Sequence, residues 1–373
     1  MPRSIRASAL VEAVRTGAPG VSEEREGEAA LSEVSGLPGL EPPASLPHIQ
    51  RGVWCALPPD DAVVGCLADH FWDRPEPPQG WEVARLSSAA YLYREVRTAG
   101  AVVAKFYTVK THGSAQQHAR REFDCTQQAR KTGLDAGEMR APRPLGACRG
   151  VLFLEYVDGL TLEDLIAVRR SRPGTLLPAL EQASRLLARL HAGGLRPDAA
   201  PDFDAAADYA HALIGDLTRH GVLEDDPITG AGLAGQVERW RAMPAMRQYV
   251  PALNHGDATT SNFVFPWEGG VVAIDWERLE VADPAADLGR LMAEVLHSIK
   301  QHGGSVAEAM PDVEHLRDAY SRAVPGHWDV AALMERARFY QASSLLRIAR
   351  NGWVSRLDRT ALVAQALALL ADR

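Results

Sequence analysis

Apolar positions along this chain change their spacing several times, and each change marks an element. Over residues 175–192, Leu176, Leu177, Leu180, Leu186, Leu187 and Leu190 recur with helical period, which predicts an amphipathic helix. Gly100-Ala101-Val102-Val103-Ala104-Lys105-Phe106-Tyr107 is a β-rich run, and residues 151–157 read as a buried strand. Phe263-Val264-Phe265 and the run 271–274 flank Trp267-Glu268-Gly269-Gly270, which predicts a hairpin with a Gly-rich turn. Residues 116–131 suit a helix and residues 60–70 a shorter one, which Arg74-Pro75-Glu76-Pro77-Pro78 breaks. Thr161 is placed to cap a helix running to Arg170, with Glu163 and Asp164 in its first turn favoured by the helix dipole. Residues 1 to about 45, rich in Glu, Ser, Gly and Pro with few aromatics, read differently. A short helix is expected over 4–14 and disorder over 17–47.

These elements sort into three regions: a tail over 1–50, a β-rich lobe over 51–157 whose regular part starts at Trp81, and a mainly helical lobe over 158–373. A length of 373 residues with 46% hydrophobic content supports two such lobes around a cleft. The net charge of −8 and pI near 5.9 argue against nonspecific nucleic-acid binding, which needs a basic surface. Cys55, Cys66, Cys125 and Cys148 form no C-x-x-C pair or zinc spacing and read as reduced thiols of a cytoplasmic protein. No apolar run reaches membrane-spanning length, and no signal peptide is evident.

The chemistry concentrates in Asn254-His255-Gly256-Asp257-Ala258-Thr259-Thr260-Ser261-Asn262 and in Val271-Val272-Ala273-Ile274-Asp275-Trp276. One carboxylate, then an amide, then a second carboxylate at the end of a short strand suit phosphoryl transfer from a nucleotide. That reaction needs positioning and charge neutralisation more than covalent chemistry. Asp257 can meet an acceptor hydroxyl. Asn262 and Asp275 can offer oxygens to magnesium, a hard cation. A turn role is the ordinary reading of any one of these residues, because Asp and Asn side chains bond nearby backbone. The ordered set carries the assignment.

The pattern resembles the catalytic loop and metal-binding Asp of protein kinases. With Gly after the His, it is closer to the aminoglycoside phosphotransferase and choline kinase group. The resemblance covers roughly residues 81–350. It implies an α+β, bilobal, protein-kinase-like fold with a small β-rich N-lobe carrying one helix and a larger, mainly helical C-lobe. It further implies an ATP- and Mg2+-dependent kinase acting on a small-molecule hydroxyl. Lys105 then corresponds to the phosphate-binding lysine, notable because only four of the 40 basic residues are Lys. An edge-strand Lys is the ordinary alternative, and Lys110 is the nearest rival. Glu122 is its expected partner, with Asp124 second. The phosphate-covering loop, Arg85-Leu86-Ser87-Ser88-Ala89-Ala90, departs from the family pattern by lacking glycine. Ser87 and Ser88 offer hydroxyls instead. Glu155 to Val157 correspond to the hinge that borders the adenine. His191 and His255 read as architectural.

After Asp275 there is no room for a protein-kinase activation segment. Ala282-Asp283-Pro284-Ala285-Ala286-Asp287-Leu288 is similar to small-molecule phosphotransferases, with Asp287 expected to brace the loop backbone and Asp283 to cap the next helix. Acidic acceptor-binding candidates are Asp202, Asp204, Asp208, Asp216, Glu224, Asp225, Asp226 and Glu277. An Arg-rich stretch, 336–359, offers the opposite reading. Arg336, Tyr340, Ser343 and Arg347 on one helix face suit an anionic acceptor, or else they pair with acidic residues elsewhere. A precursor-peptide Ser/Thr acceptor, a lipid or cell-envelope sugar acceptor and a non-catalytic nucleotide-binding scaffold stay open, as does the oligomeric state.

Overall fold

A computed structural model describes residues 53–58, 60–71, 80–96, 100–107, 114–223 and 227–371, which fall into two units. The expectations for the N-terminal tail, the break at 74–78, Lys110 and the acidic triplet 224–226 lie outside these residues. The described part is α+β: an antiparallel sheet in the first unit and a mainly helical second unit.

The first unit, within 1–128 and 142–157, holds one six-stranded antiparallel sheet. Its strands are β1 (Cys55–Ala56), β2 (Trp81–Arg85), β3 (Ala90–Glu95), β4 (Ala101–Phe106), β6 (Pro144–Cys148) and β7 (Val151–Glu155), in the order β1-β2-β3-β4-β7-β6. Alternation along β4 decides its two faces. Val102, Ala104 and Phe106 join a core with Val83, Tyr93 and Phe153, against which Val63 and Leu67 of α1 (Ala62–Phe71) pack. Val103 and Tyr107 pack on the other face with Ala119 and Phe123 of α2 (Ala115–Ala129). Asp61 starts α1 by accepting from the N–H groups of Val63 and Val64, so the short N-terminal helix expected at 60–70 exists in addition to the helix within the sheet region.

The second unit spans 129–141 and 158–373. Strands β5 (Met139–Arg140), β8 (Gly159–Thr161), β10 (Phe263–Pro266) and β11 (Val271–Ala273) form a sheet ordered β5-β11-β10-β8. The expected hairpin is β10–β11; Gly269 and Gly270 turn it with φ of 104° and 83°. A second small ribbon pairs β9 (Ala252–Asn254) with β12 (Glu280–Ala282). The helices are α3 (Leu162–Val168), α4 (Leu176–Gly193), α5 (Phe203–Arg219), α6 (Pro227–Arg241), α7 (Ala285–Gln301), α8 (Val306–Ala323), α9 (Val330–Ala349) and α10 (Arg356–Ala371). Thr161 and Asp164 close a capping box on α3 as the sequence suggests. The leucine stripe of α4 is buried except at Leu177, 43% exposed, which lies off the face that Leu176, Leu180 and Leu187 share. No helix among the described residues is long and apolar enough to cross a membrane, and all four cysteines are free thiols.

Candidate active site

In the first unit the pairing register places Lys105 opposite Ala90 of β3 and Leu152 of β7. β4 is therefore an interior strand, and the lysine does not serve to blunt an edge. Lys105 shares the face of Val103 and Tyr107 and meets Glu122 of α2, with Nζ 2.6 Å from Oε2. Helical spacing buries Ala119, Glu122, Phe123 and Thr126 together, which explains how a carboxylate in a polar helix comes to be 1% exposed. The Tyr107 hydroxyl donates to the same Glu122 oxygen, and the Lys105 ammonium lies 5.5 Å from the Tyr107 ring. A buried carboxylate needs such partners, and together they hold the lysine in place. Asp124, the alternative partner, instead pairs with Arg120 of its own helix, 3.1 Å away.

The glycine-free loop is a tight turn. Ser87 Oγ accepts from the N–H groups of Ala89 and Ala90 at 3.3 and 3.0 Å, and the Ser87 N–H goes to the Ala90 carbonyl. With the Leu86 N–H, which also goes to the Ala90 carbonyl at 2.9 Å, four backbone amides are used inside the turn. Ser87 keeps its hydroxyl proton for donation, and Ser88 is exposed at the tip. Glu155 ends β7, donating its N–H to the Arg143 carbonyl at 3.0 Å while its Oε2 accepts from the Arg143 N–H at 2.8 Å. Val157 closes the first unit, half-buried.

In the second unit the segment from β9 to β10 is braced at almost every residue. Asp287, near the start of α7, accepts from the N–H groups of His255 at 2.6 Å and Gly256 at 3.0 Å, and it meets His191 Nε2 at 3.1 Å. His191 in turn contacts the Tyr320 hydroxyl at 2.6 Å. Burial pushes the Asp287 carboxyl up, but bonds from His191 and the nearby charge outweigh it and leave the group below the usual carboxylate range. The His255 tautomer follows from its partners. Nε2 faces the Ile274 carbonyl at 3.0 Å and must carry the proton, so Nδ1 accepts from the Asp257 N–H at 3.3 Å. Burial holds this imidazole below its ordinary pKa, against the pull of Asp287 and Asp275. His255 is neutral and architectural, with its ring 4.5 Å from that of buried Trp276. Gly256 has φ 75°, and a Cβ there would run into the Arg278 carbonyl, so glycine is required at this position.

Asp257 is 20% exposed, and among the described residues only one of its oxygens is engaged. Oδ1 accepts from Arg290 at 2.9 Å and lies 4.0 Å from Arg278; among the described residues no bond falls on Oδ2. Arg290 also donates to the Gly256 carbonyl, so it fixes both side chain and backbone of the loop. Asn262 sends Nδ2 to the Asp257 carbonyl at 2.9 Å, which leaves Oδ1 as its outward oxygen, contacted by Ser261 Oγ at 3.4 Å. Thr260 Oγ1 donates to Glu163 of α3 at 2.5 Å, and Ser298 of α7 donates to the same carboxylate at 2.7 Å. Asp275 adopts φ 68°, a left-handed conformation that costs a non-glycine residue about 1 kcal/mol and that Asp tolerates better than most. It follows β11 after one residue, Ile274, whose N–H bonds the Asn262 carbonyl at 2.9 Å. Asp257, Asn262 and Asp275 thus stand on one hydrogen-bonded unit. The amide oxygen of Asn262 and the carboxylate of Asp275 are oxygens of the kind a hard cation takes.

Residues 82–338 match the profile of the APH phosphotransferase enzyme family. The chain belongs to this family. It is a phosphotransferase enzyme, and the span matched contains every element just described. No curated protein sequence matches it. Among solved structures, the phosphotransferase is similar to an ethanolamine kinase of Plasmodium vivax, with TM-score 0.54 and 13% identity over 84% of this chain and 89% of that one. It is similar as well to the streptomycin–ATP complex of the aminoglycoside phosphotransferase APH(2")-IIa, with TM-score 0.51 and 14% identity over 85% and 97% of the two chains. An aminoglycoside phosphotransferase from Alicyclobacillus acidocaldarius gives 0.50 and 16% over 77% and 90%. At such identities the likeness is one of fold.

Of two further contributors to the phosphotransferase site, Arg290 is absent from the sequence reading and Glu163 figures there only as a first-turn residue. Arg290 had a legible signal, since it follows Asp287 by three residues and so shares its helical face. Glu163 had none beyond its place in a first helical turn, because its partners Thr260 and Ser298 are about 100 residues away or more. Conversely, the Arg-rich face offered for an anionic acceptor is consumed internally. Arg336 is buried against Asp283 at 2.7 Å, and Arg347 pairs with Glu294. Asp283 also accepts from the Ala285 N–H, as its expected capping role requires.

The locking by Arg290 predicts that Arg290→Met lowers kcat by roughly 10- to 100-fold with little change in the melting shift caused by Mg-ATP. A loss of one positioning contact made in the transition state has that signature. Steady-state kinetics showing an unchanged kcat would remove the role. A second prediction concerns pH. Unfolded imidazole takes up its proton near pH 6.5, whereas His255 and His297, both buried, are held below that value, first of all by burial. Below about pH 6.5 the unfolded chain therefore binds more protons than the folded one, and stability declines as pH falls. Denaturant midpoints should drop from pH 7.5 to 5.5; a flat profile would contradict this.

Proposed function

We propose that the protein is an ATP- and magnesium-dependent O-phosphotransferase whose acceptor is a hydroxyl of a small molecule. The observation that carries this reading is the half-engaged carboxylate of Asp257. Arg290 holds Oδ1, which leaves Oδ2 to orient the hydroxyl and take its proton. In the transfer, an O–P bond forms between the acceptor oxygen and the γ-phosphorus as the bond to the bridging oxygen breaks. ADP leaves with that electron pair, and the hydroxyl proton passes to Asp257 and then to solvent. Lys105, steadied by Glu122 and Tyr107, binds nucleotide phosphate oxygens. The Ser87–Ser88 turn contributes hydroxyl donors, and the backbone at Glu155 and Val157 borders the base. Asn262 Oδ1 and the Asp275 carboxylate hold magnesium, which when bound neutralises charge on the phosphates. The aminoglycoside phosphotransferase of similar fold has been captured with ATP, which supports the choice of nucleotide.

The short passage from β11 to α7 favours a small acceptor over a protein. Only residues 274–284 connect them, partly as β12, with no long segment to seat a peptide. The test is thermal denaturation with and without magnesium and ATP, followed by acceptor-dependent ADP release. A ligand at about 100 times its Kd stabilises the folded state by about 2.7 kcal/mol. Silence with millimolar ATP and GTP alike would defeat the proposal and shift the reading to a non-catalytic scaffold.

A further inference from the structure

We propose that the acceptor is anionic, a hydroxylated compound carrying a carboxylate or phosphate close to the hydroxyl, and that Arg278 is the residue that meets it. This rests on the phosphotransferase reading above and specifies its substrate class. Three observations converge. The acidic residues of α5 and α6 that would hold a cationic acceptor are neutralised within the second unit. Asp204 is bound by Arg247 at 2.6 Å, Asp208 by Arg241, and Asp216 by Arg219 and Arg350. Asp202 caps α5 through the Ala205 N–H at 3.0 Å, and Glu238 meets His211 at 2.6 Å.

Beside Asp257 the balance is reversed. Arg290 and Arg278 both approach Oδ1, and Arg290 alone satisfies it at hydrogen-bond distance. Arg278 at 4.0 Å has no closer carboxylate among the described residues, and its side chain is 56% exposed. Its backbone is nonetheless fixed in place. The turn Trp276–Leu279 closes through a Leu279 N–H to Trp276 carbonyl bond of 3.0 Å, Trp276 is fully buried, and the Arg278 carbonyl abuts Gly256. A guanidinium carried on a fixed turn and 4.0 Å from the base offers a fork that fits a carboxylate or phosphate in bidentate fashion. It also repels an ammonium brought to the same hydroxyl. Asp275, Glu277 and Glu280 are the acidic neighbours in sequence, and oxygens of Asp275 and Glu277 lie within 4.8 Å of one another, so a preference for the amines would point to Glu277.

The experiment uses the full chain with Mg-ATP and two matched sets of acceptors: glycerate, glycerol and 3-amino-1,2-propanediol, then glucuronate, glucose and glucosamine. ADP release above the acceptor-free rate is the readout. The expected order is anion, then neutral, then cation in kcat/KM, with the anion favoured by roughly 10- to 100-fold, as a charge-assisted contact provides. In Arg278→Gln the ratio between glycerate and glycerol, or glucuronate and glucose, should collapse toward one, mainly through KM for the anion. Arg278→Lys should restore part of it. A higher kcat/KM for either amine, no turnover of either anion, or an unchanged ratio in Arg278→Gln overturns the proposal. If the melting temperature still rises with Mg-ATP in those cases, the phosphotransferase reading survives and only the acceptor class falls. If Mg-ATP leaves the melting temperature unmoved, both fall.

Discussion

Asp257→Asn should lose about 10²- to 10⁴-fold in kcat while keeping its Mg-ATP melting shift. That range is what a general base contributes to a hydroxyl-directed transfer. Asparagine is the instructive replacement because it preserves shape and can still meet Arg290 through its carbonyl oxygen, so the loop bonds of Asn262 Nδ2 and the His255 ring are undisturbed. What it loses is the capacity of Oδ2 to take a proton. The folded protein should therefore melt within a few degrees of wild type. Turnover within about threefold of wild type would refute the assignment of Asp257 and return the loop to a purely structural role. A loss of folding alongside turnover would show that the carboxylate charge is needed by Arg290, not by the acceptor.

The second large effect falls on nucleotide binding. Asp275→Asn should abolish the magnesium-dependent part of the ATP melting shift, because the anionic oxygen that suits a hard cation is replaced by a neutral amide. Backbone conformation makes the choice of variant matter. Asp275 sits at φ 68°, a conformation Asn shares readily, whereas Asp275→Ala adds about 1 kcal/mol or more of backbone strain to whatever the carboxylate contributes. Comparing the two separates the ligand role from the fold. Equal Mg-ATP shifts in wild type and Asp275→Asn would take Asp275 out of the metal site. Differential scanning fluorimetry over a magnesium titration reads this directly, since a ligand of the folded state stabilises it by mass action.

Architecture around these residues accounts for their reach. Asp287 is the node, receiving two backbone N–H groups of the loop and a histidine whose other nitrogen meets Tyr320 of α8. Buried carboxylates persist only when hydrogen-bonded throughout, and here the bonds that satisfy Asp287 are the ones that shape the loop bearing Asp257. Glu163 repeats the device from α3. Burial raises its carboxyl, but bonds from Thr260, Ser298 and His302 outweigh this and hold it below the usual range. Rigid support of this kind is what positioning catalysis requires.

Local information was enough for much of this protein. The hairpin Phe263–Ala273, the capping box at Thr161, the strand bearing Lys105 and the order Asp257, Asn262, Asp275 each depend on residues close in sequence, where period, turn chemistry and spacing operate. Even the Lys105–Glu122 pair was legible, though through the family resemblance; alternation in β4 and helical spacing in α2 are the physical reason the two meet. Charge partners over long separations were not legible. Composition shows an excess of Asp and Glu over Lys and Arg, yet says nothing of which carboxylate each arginine will satisfy. Tertiary packing decided that Arg336 and Arg347 neutralise Asp283 and Glu294, that Asp204, Asp208 and Asp216 are held by arginines, and that Arg290 locks one oxygen of Asp257. The physical reason is that burying an ion without a partner is costly, so packing selects partners by proximity in space, which no sequence window contains.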